Sequence, residues 1–201
     1  NGRTANCTGL DATSGKVVGT VAFTGKAETA VLDGKGSMFV NIEDKNQEIE
    51  FDTTTLAVKH TYPLGSCEAP TGNAIDTVHR RLFIACSDSK MMAVMNADTG
   101  KVVATPAIGE DSDATAFDPG TGLAFASCRE GVLSIIHMDS PDKYSVVGNV
   151  KTQAGARTMA LDLKTHHAFV VTADYKPAAP AGANARPQPV PNTFVILELA
   201  P

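Results

Sequence analysis

Tryptophan is absent from these 201 residues, and aromatic side chains make up only 5 % of them. A WD-type repeat is therefore excluded, and three tyrosines offer little on which nucleic-acid bases could stack. The net charge of −5 argues against a surface that neutralises phosphates, so nucleic acid is not an expected partner. No stretch approaches the ~20 apolar residues of a spanning helix, and no membrane span is expected. The four cysteines, Cys7, Cys67, Cys86 and Cys128, form no Cys-x-x-Cys pair and no haem-attachment motif. Neither a Gly-x-Ser-x-Gly turn nor a Ser-His-Asp arrangement occurs, which leaves nucleophilic hydrolysis without a candidate.

What the chain does have is Val, Ile and Thr in quantity, punctuated by 17 Gly and 11 Pro. That balance suits many short strands joined by tight turns. A repeat organises them. The segments 29–40, 73–84, 114–125 and 158–169 align on Asp33, Asp76, Asp118 and Asp162, which lie 43, 42 and 44 residues apart. Phe39, Phe83, Phe125 and Phe169 keep step with them at 44, 42 and 44. Between them recur strand–turn–strand stretches centred on Asp11 to Gly15, Asp52 to Leu56 and Asn96 to Gly100. Each unit of ~43 residues thus holds about four strands, the pattern of a β-propeller blade. The expected fold is all-β, a propeller of four-stranded antiparallel blades.

The expected divisions are 1–23 (the last two strands of a blade), three blades at 24–65, 66–108 and 109–150, and a last blade at 151–201. The Pro-rich stretch 176–192 is expected as an extended loop within that last blade. One strand more than a four-bladed ring needs, and a final blade lacking its fourth, predict the carboxy-terminal part of a longer ring. Ala30, Val31 and Leu32, like Leu82, Phe83 and Ile84, are expected to be buried on both faces of their sheets. The anchor aspartates, repeated once per blade, are expected to bond turn amides.

Several of these segments together resemble a known family. Asp33-Gly34-Lys35-Gly36, Leu82-Phe83-Ile84-Ala85-Cys86, Phe117-Asp118-Pro119, the run from Lys151 to Asp162, and Asn192 to Leu197 are similar to the YncE-like, YVTN-repeat propeller proteins of bacteria. The resemblance implies a seven-bladed ring, about three further blades before Asn1, export to the periplasm or cell surface, and no established catalytic residues.

In a propeller the loops entering the innermost strands meet at the mouth of the central channel. Five residues before successive anchors stand Glu28, Thr71 and Asp113, with Arg157 at the matching place in the last repeat. Two carboxylates, a hydroxyl and a guanidinium there would suit a small anion, a sugar or a divalent cation; equally, they would serve as solvated lining that pairs with itself. Arg157 is the sharper candidate because its fork of donors fits a carboxylate or phosphate. Few oxygens converge on this stretch, against the six to eight that Ca²⁺ takes, so no metal or other cofactor is expected. The aspartic-protease-like triplet Asp98-Thr99-Gly100 lies in a repeated turn and is set aside.

His166 and His167, matched to His79 and Arg80, are expected at the surface. Cys86 and Cys128 occupy equivalent positions in neighbouring blades, too far apart for a bridge that needs Cα atoms within ~7 Å, and are expected to be buried thiols. No pairing is assigned to Cys7 or Cys67. The function that follows is a non-catalytic exported binding or scaffold module. It would take a small anionic or sugar-like ligand, or a protein, at the channel mouth, with a protein partner or further blades of the same protein completing the ring. The alternatives are a lactonase-type hydrolase with a channel metal and a propeller subunit of a redox complex.

Overall fold

The computed structural model describes residues 1–176 and 188–200. Among the described residues, seventeen strands form five antiparallel sheets, with two single 3-10 turns at Gly2–Thr4 and Glu43–Lys45. The first sheet pairs β1 (Asn6–Leu10) with β2 (Val17–Ala22). The second runs outward through β3 (Ala27–Leu32), β4 (Ser37–Ile42), β5 (Gln47–Asp52) and β6 (Val58–Pro63). The third comprises β7 (Pro70–Asp76), β8 (Arg81–Cys86), β9 (Met91–Asn96) and β10 (Val102–Ala104). The fourth comprises β11 (Ser112–Asp118), β12 (Leu123–Cys128), β13 (Val132–Ser140) and β14 (Lys143–Lys151). The fifth has three strands, β15 (Thr158–Asp162), β16 (His167–Thr172) and β17 (Val195–Leu199). Strand β7 lies against β3 on one side and β11 on the other, and β11 against β15, so the first strand of each repeat lies innermost in an open arc.

The turns show why the repeat folds this way. In one after another an Asp or Asn opens the hairpin, and the residue four places on takes positive φ: Gly15, Leu56, Arg80, Gly100, Gly122 and His166. The backbone closes Gly15 N–H onto Asp11 O, Leu56 onto Asp52, Gly100 onto Asn96, Gly122 onto Asp118 and His166 onto Asp162, all at 2.8–2.9 Å. The acidic or amide oxygen then collects the amides left over inside the turn. Asp33 Oδ1 accepts from Lys35 and Ser37, Asp76 Oδ1 from Val78 and His79, Asp118 Oδ1 from Gly120, and Asp162 Oδ1 from Lys164. The anchor aspartates serve their own turns, as expected.

The phenylalanines serve the neighbouring sheet. Phe39 packs with Leu82, Ile84 and Ile75 of the next sheet, Phe83 stacks on Phe117 with centroids 4.6 Å apart, and Phe125 packs with Leu161, Ala168 and Val170. In each case the residue just before the following anchor aspartate (Ile75, Phe117, Leu161) belongs to the same core as the phenylalanine. Leu82, Phe83 and Ile84 are fully buried. Ala30 and Leu32 are not: Leu32 is 56 % exposed and Ala30 is exposed as well. Their outward face would need an innermost strand before β3, and the preceding sheet contributes only the outer pair β1 and β2. Burial of these strands comes from the neighbouring sheet, and here that neighbour is half a sheet.

The cysteines also depart from expectation. Cys86 is buried but not a thiol: it forms a disulfide with Cys67, with Cα atoms 5.2 Å apart. The loop from β6 to β7 turns through Leu64 to Cys67 and then runs beside the end of β8, where Ser87 N–H donates to Ala69 O. The bridge is therefore made inside one repeat, between a loop and a strand, and not between equivalent strands. Cys128 is a buried free thiol, and Cys7 a partly buried one. Most of the proline-rich stretch lies outside the described residues. Its two flanks are joined by an antiparallel bridge between Tyr175 and Pro189, with Val190 N–H donating to Asp174 O.

Candidate functional site

The innermost strands all begin on one side of the arc, and the four residues singled out by spacing lie there. Glu28 is on β3, Thr71 on β7, Asp113 on β11, and Arg157 directly precedes β15. Arg157 Nη1 stands 3.8 Å from Asp113 Oδ1, a long pairing between side chains that are both more than a third exposed. Glu28 is tied to Lys26 at 2.8 Å, and Lys26 also bonds Glu43. Burial lifts the Asp113 carboxyl above the ordinary aspartate range; Arg157 pulls it down and Glu28 pushes it up. Glu28, Asp113 and Arg157 thus share one electrostatic neighbourhood spanning three sheets. Thr71 does not present its hydroxyl to it. That hydroxyl donates to Ser112 O on β11 at 2.8 Å and so fastens two innermost strands together.

The charged set is larger than the spacing rule suggested. Lys26, two residues before Glu28, and Asp111, two before Asp113, lie on the same loops, and Asp111 pairs with Arg129 at 3.4 Å. Beside the mouth, Lys26, Glu43, Asp44, Asn46, Glu68 and Asp88 line an open cleft dominated by carboxylates. Lys26, Glu68 and Asp111 precede the innermost strands that carry Glu28, Thr71 and Asp113, whereas Glu43, Asp44, Asn46 and Asp88 come from the loops between the second and third strands of their sheets. Among the described residues, no three His, Cys, Asp or Glu side chains are arranged to hold a metal ion.

A second set of contacts, invisible in the sequence, crosses between sheets at the opposite ends of the innermost strands. Arg80 and His166 are the positive-φ residues of their turns, and each reaches back to the anchor aspartate of the preceding sheet. Arg80 Nη1 donates to Asp33 Oδ2 at 2.9 Å, and His166 Nδ1 lies 2.7 Å from Asp118 Oδ2. Arg80 thus matches His166 and Arg81 matches His167, one residue on from the expected match of His79 and Arg80. Only His167 Nδ1 faces Glu198, at 2.7 Å, so the adjacent histidines serve different partners. Burial raises the Asp33 carboxyl, but the Lys35 and Ser37 amides and the Arg80 guanidinium outweigh it and leave Asp33 below its ordinary range. Asp118 is held low in the same way by Thr121, Gly120 and His166, against burial. Arg81, in turn, donates to Pro141 O and Asp142 Oδ1, joining the third sheet to the fourth.

No protein-family model matches the chain, and no curated protein matches it. Solved structures do. A chain of the hydrazine synthase of Kuenenia stuttgartiensis is similar over 70 % of this chain, with 12 % identity and a TM-score of 0.63. A chain of a mitotic checkpoint complex is similar over 84 %, with 15 % identity and a TM-score of 0.72. The matches span 40 % and 55 % of those chains, so this sequence covers about half the length of the structures it resembles. At such identities the likeness concerns architecture alone, and that architecture is a β-propeller type: antiparallel sheets set around an axis, here an open arc of five among the described residues, three of them four-stranded.

Proposed function

We propose that this chain is part of an exported, non-catalytic propeller of the YncE-like, YVTN-repeat kind, which binds a small anionic ligand or a protein at the channel mouth. The observation that carries the reading is the Asp113–Arg157 pair. At 3.8 Å and with both side chains partly exposed, it leaves guanidinium donors free for an incoming carboxylate or phosphate. The chain of similar fold in the mitotic checkpoint complex belongs to an assembly, which supports a partner-binding use of the architecture. Export is supported by the Cys67–Cys86 bridge, since disulfides persist in oxidising compartments. The open outer faces, with Leu32 on one side and Ile196, 61 % exposed, on the other, support completion by further blades of the same protein or by a partner.

Calorimetric titration with inorganic phosphate, citrate and a neutral sugar tests the site. Phosphate or citrate is expected to bind, and Arg157→Ala to abolish that binding while stability stays within ~1 kcal/mol, as for a surface change. Binding that survives Arg157→Ala, or preference for the sugar alone, overturns the anion reading.

A further inference from the structure

Between the second and third sheets lies a buried polar cluster that the mouth does not explain. Glu48 on β5 is fully buried, as is its register partner Asn41 on β4, and Asn73 on β7 is 3 % exposed. The Asn73 amide donates to Glu48 Oε1 at 2.9 Å, and the Asn41 amide donates to the carbonyls of Thr71 and Gly72 at 3.0 and 3.1 Å. Each sheet therefore sends one amide into the other. Three acceptors of this cluster remain without a partner among the described residues: Glu48 Oε2, Asn41 Oδ1 and Asn73 Oδ1. Buried acceptors left unpaired in this way carry a desolvation cost unless something positive or protonated enters between them.

The repeat shows that the fold does not require this. By register, the places of Asn41 and Glu48 are taken by Ala85 and Met92 in the third sheet and by Ser127 and Leu133 in the fourth. Met92 and Leu133 are as thoroughly buried as Glu48. A carboxyl has thus been placed where the same architecture is otherwise satisfied by an apolar side chain.

We propose that Glu48 is held as a neutral carboxylic acid whose Oε2–H donates to Asn41 Oδ1, a protonated clasp within the second sheet that completes the polar cluster tying it to the third, and that the cluster is destabilised when the proton is lost to solvent. The groups facing it supply no cation. Its own strand brings Glu50, which is occupied by Ser37 and Tyr62, and β6 brings Tyr62 itself opposite Glu48. From β4 and β7 come Asn41 and Asn73, with Asp76 only at the far end of β7. Lys59, on β6, is engaged by Asp52 and Ser37. Burial accordingly pushes the Glu48 carboxyl well above its ordinary value, and the Asn73 amide offsets this only in part. With the native value raised, the folded chain holds a proton the unfolded chain gives up. The stability the clasp contributes is complete below the ordinary glutamate range and is lost as pH rises through the raised value. Its loss bears on the mouth, because the Asn41 amide holds the backbone of Thr71.

Infrared difference spectra and denaturation midpoints across pH test this. At neutral pH the wild type is expected to show the carbonyl band of a buried protonated acid, absent in Glu48→Gln. Relative to Glu48→Gln, the wild-type unfolding constant should rise by up to about tenfold per pH unit between the two titration ranges. Glu48→Met, which copies the third sheet, should show neither the band nor the extra slope. An absent band, equal pH slopes in wild type and Glu48→Gln, or wild-type stability that instead follows added Na⁺, K⁺ or Ca²⁺ overturns the proposal.

Discussion

Phe83 and Phe169 occupy the same register position in their sheets, opposite Val94 and Glu198, yet Phe83 is fully buried and Phe169 only partly. The third sheet has a neighbour on both sides, and Phe117 closes over Phe83. The fifth sheet packs Met159, Leu161, Ala168, Val170 and Leu197 back onto the fourth and leaves Ile196 exposed on its other face. The difference teaches that one repeat does not contain its own core. It supplies half of two cores, and a residue's contribution depends on which neighbour is present.

The sharpest way to break that comparison is truncation. Phe83→Ala is expected to cost ~3–5 kcal/mol in chemical denaturation, as for a fully enclosed aromatic, and Phe169→Ala no more than about 1 kcal/mol in the isolated chain. Similar losses at both positions would show that the fifth sheet's outer face is covered in solution. This dependence on neighbours also sets what could be read from sequence. The period, the aspartate turns and the phenylalanines were legible because the same local chemistry recurs at fixed spacing. The exposure of Ala30 and Leu32 was not, because burial there depends on a strand outside the repeat.

Next in size is the disulfide, a feature of the third sheet alone. Replacing Cys67 and Cys86 by Ser should lower stability by ~3 kcal/mol, read from urea midpoints under oxidising conditions. No change would mean that the bridge does not constrain the unfolded chain. The bridge escaped the sequence reading because it occurs once, between a loop and a strand, whereas comparison of repeats finds only what is shared. Glu48 was hidden for a related reason: it keeps the Phe39–Phe83 step to Met92, but Leu133 falls one residue short of the Phe83–Phe125 step, and only strand register aligns all three.

The smallest expected effect concerns the cross-sheet contacts. Arg80→Ala should cost ~1–3 kcal/mol, since it strips a charged partner from Asp33, which is 3 % exposed. Asp33 and Asp118 are held below their ordinary range in the fold, so the stability they contribute is complete above that range. It is lost as pH falls through the lowered native values. Acid unfolding of Arg80→Ala should therefore show a shallower pH dependence than wild type, and an unchanged profile would assign Asp33's low value to its turn amides alone. These links were illegible because they depend on Arg80 and His166 adopting positive φ, which neither residue type announces. The candidate site was legible in part: Glu28, Asp113 and Arg157 do share one rim, while Thr71 is taken up in holding β7 to β11.

The two links from Arg80 and His166 run the same way: a cation or imidazole points backwards while the aromatic ring points forwards. A seam built so has a head and a tail. It can be extended by another unit in the same sense, whereas a two-fold arrangement would leave Asp33 and Asp118 without the arginine or imidazole of a following sheet. Sheets joined in this way succeed one another in one direction, the earlier supplying the carboxylate and the later the guanidinium or imidazole.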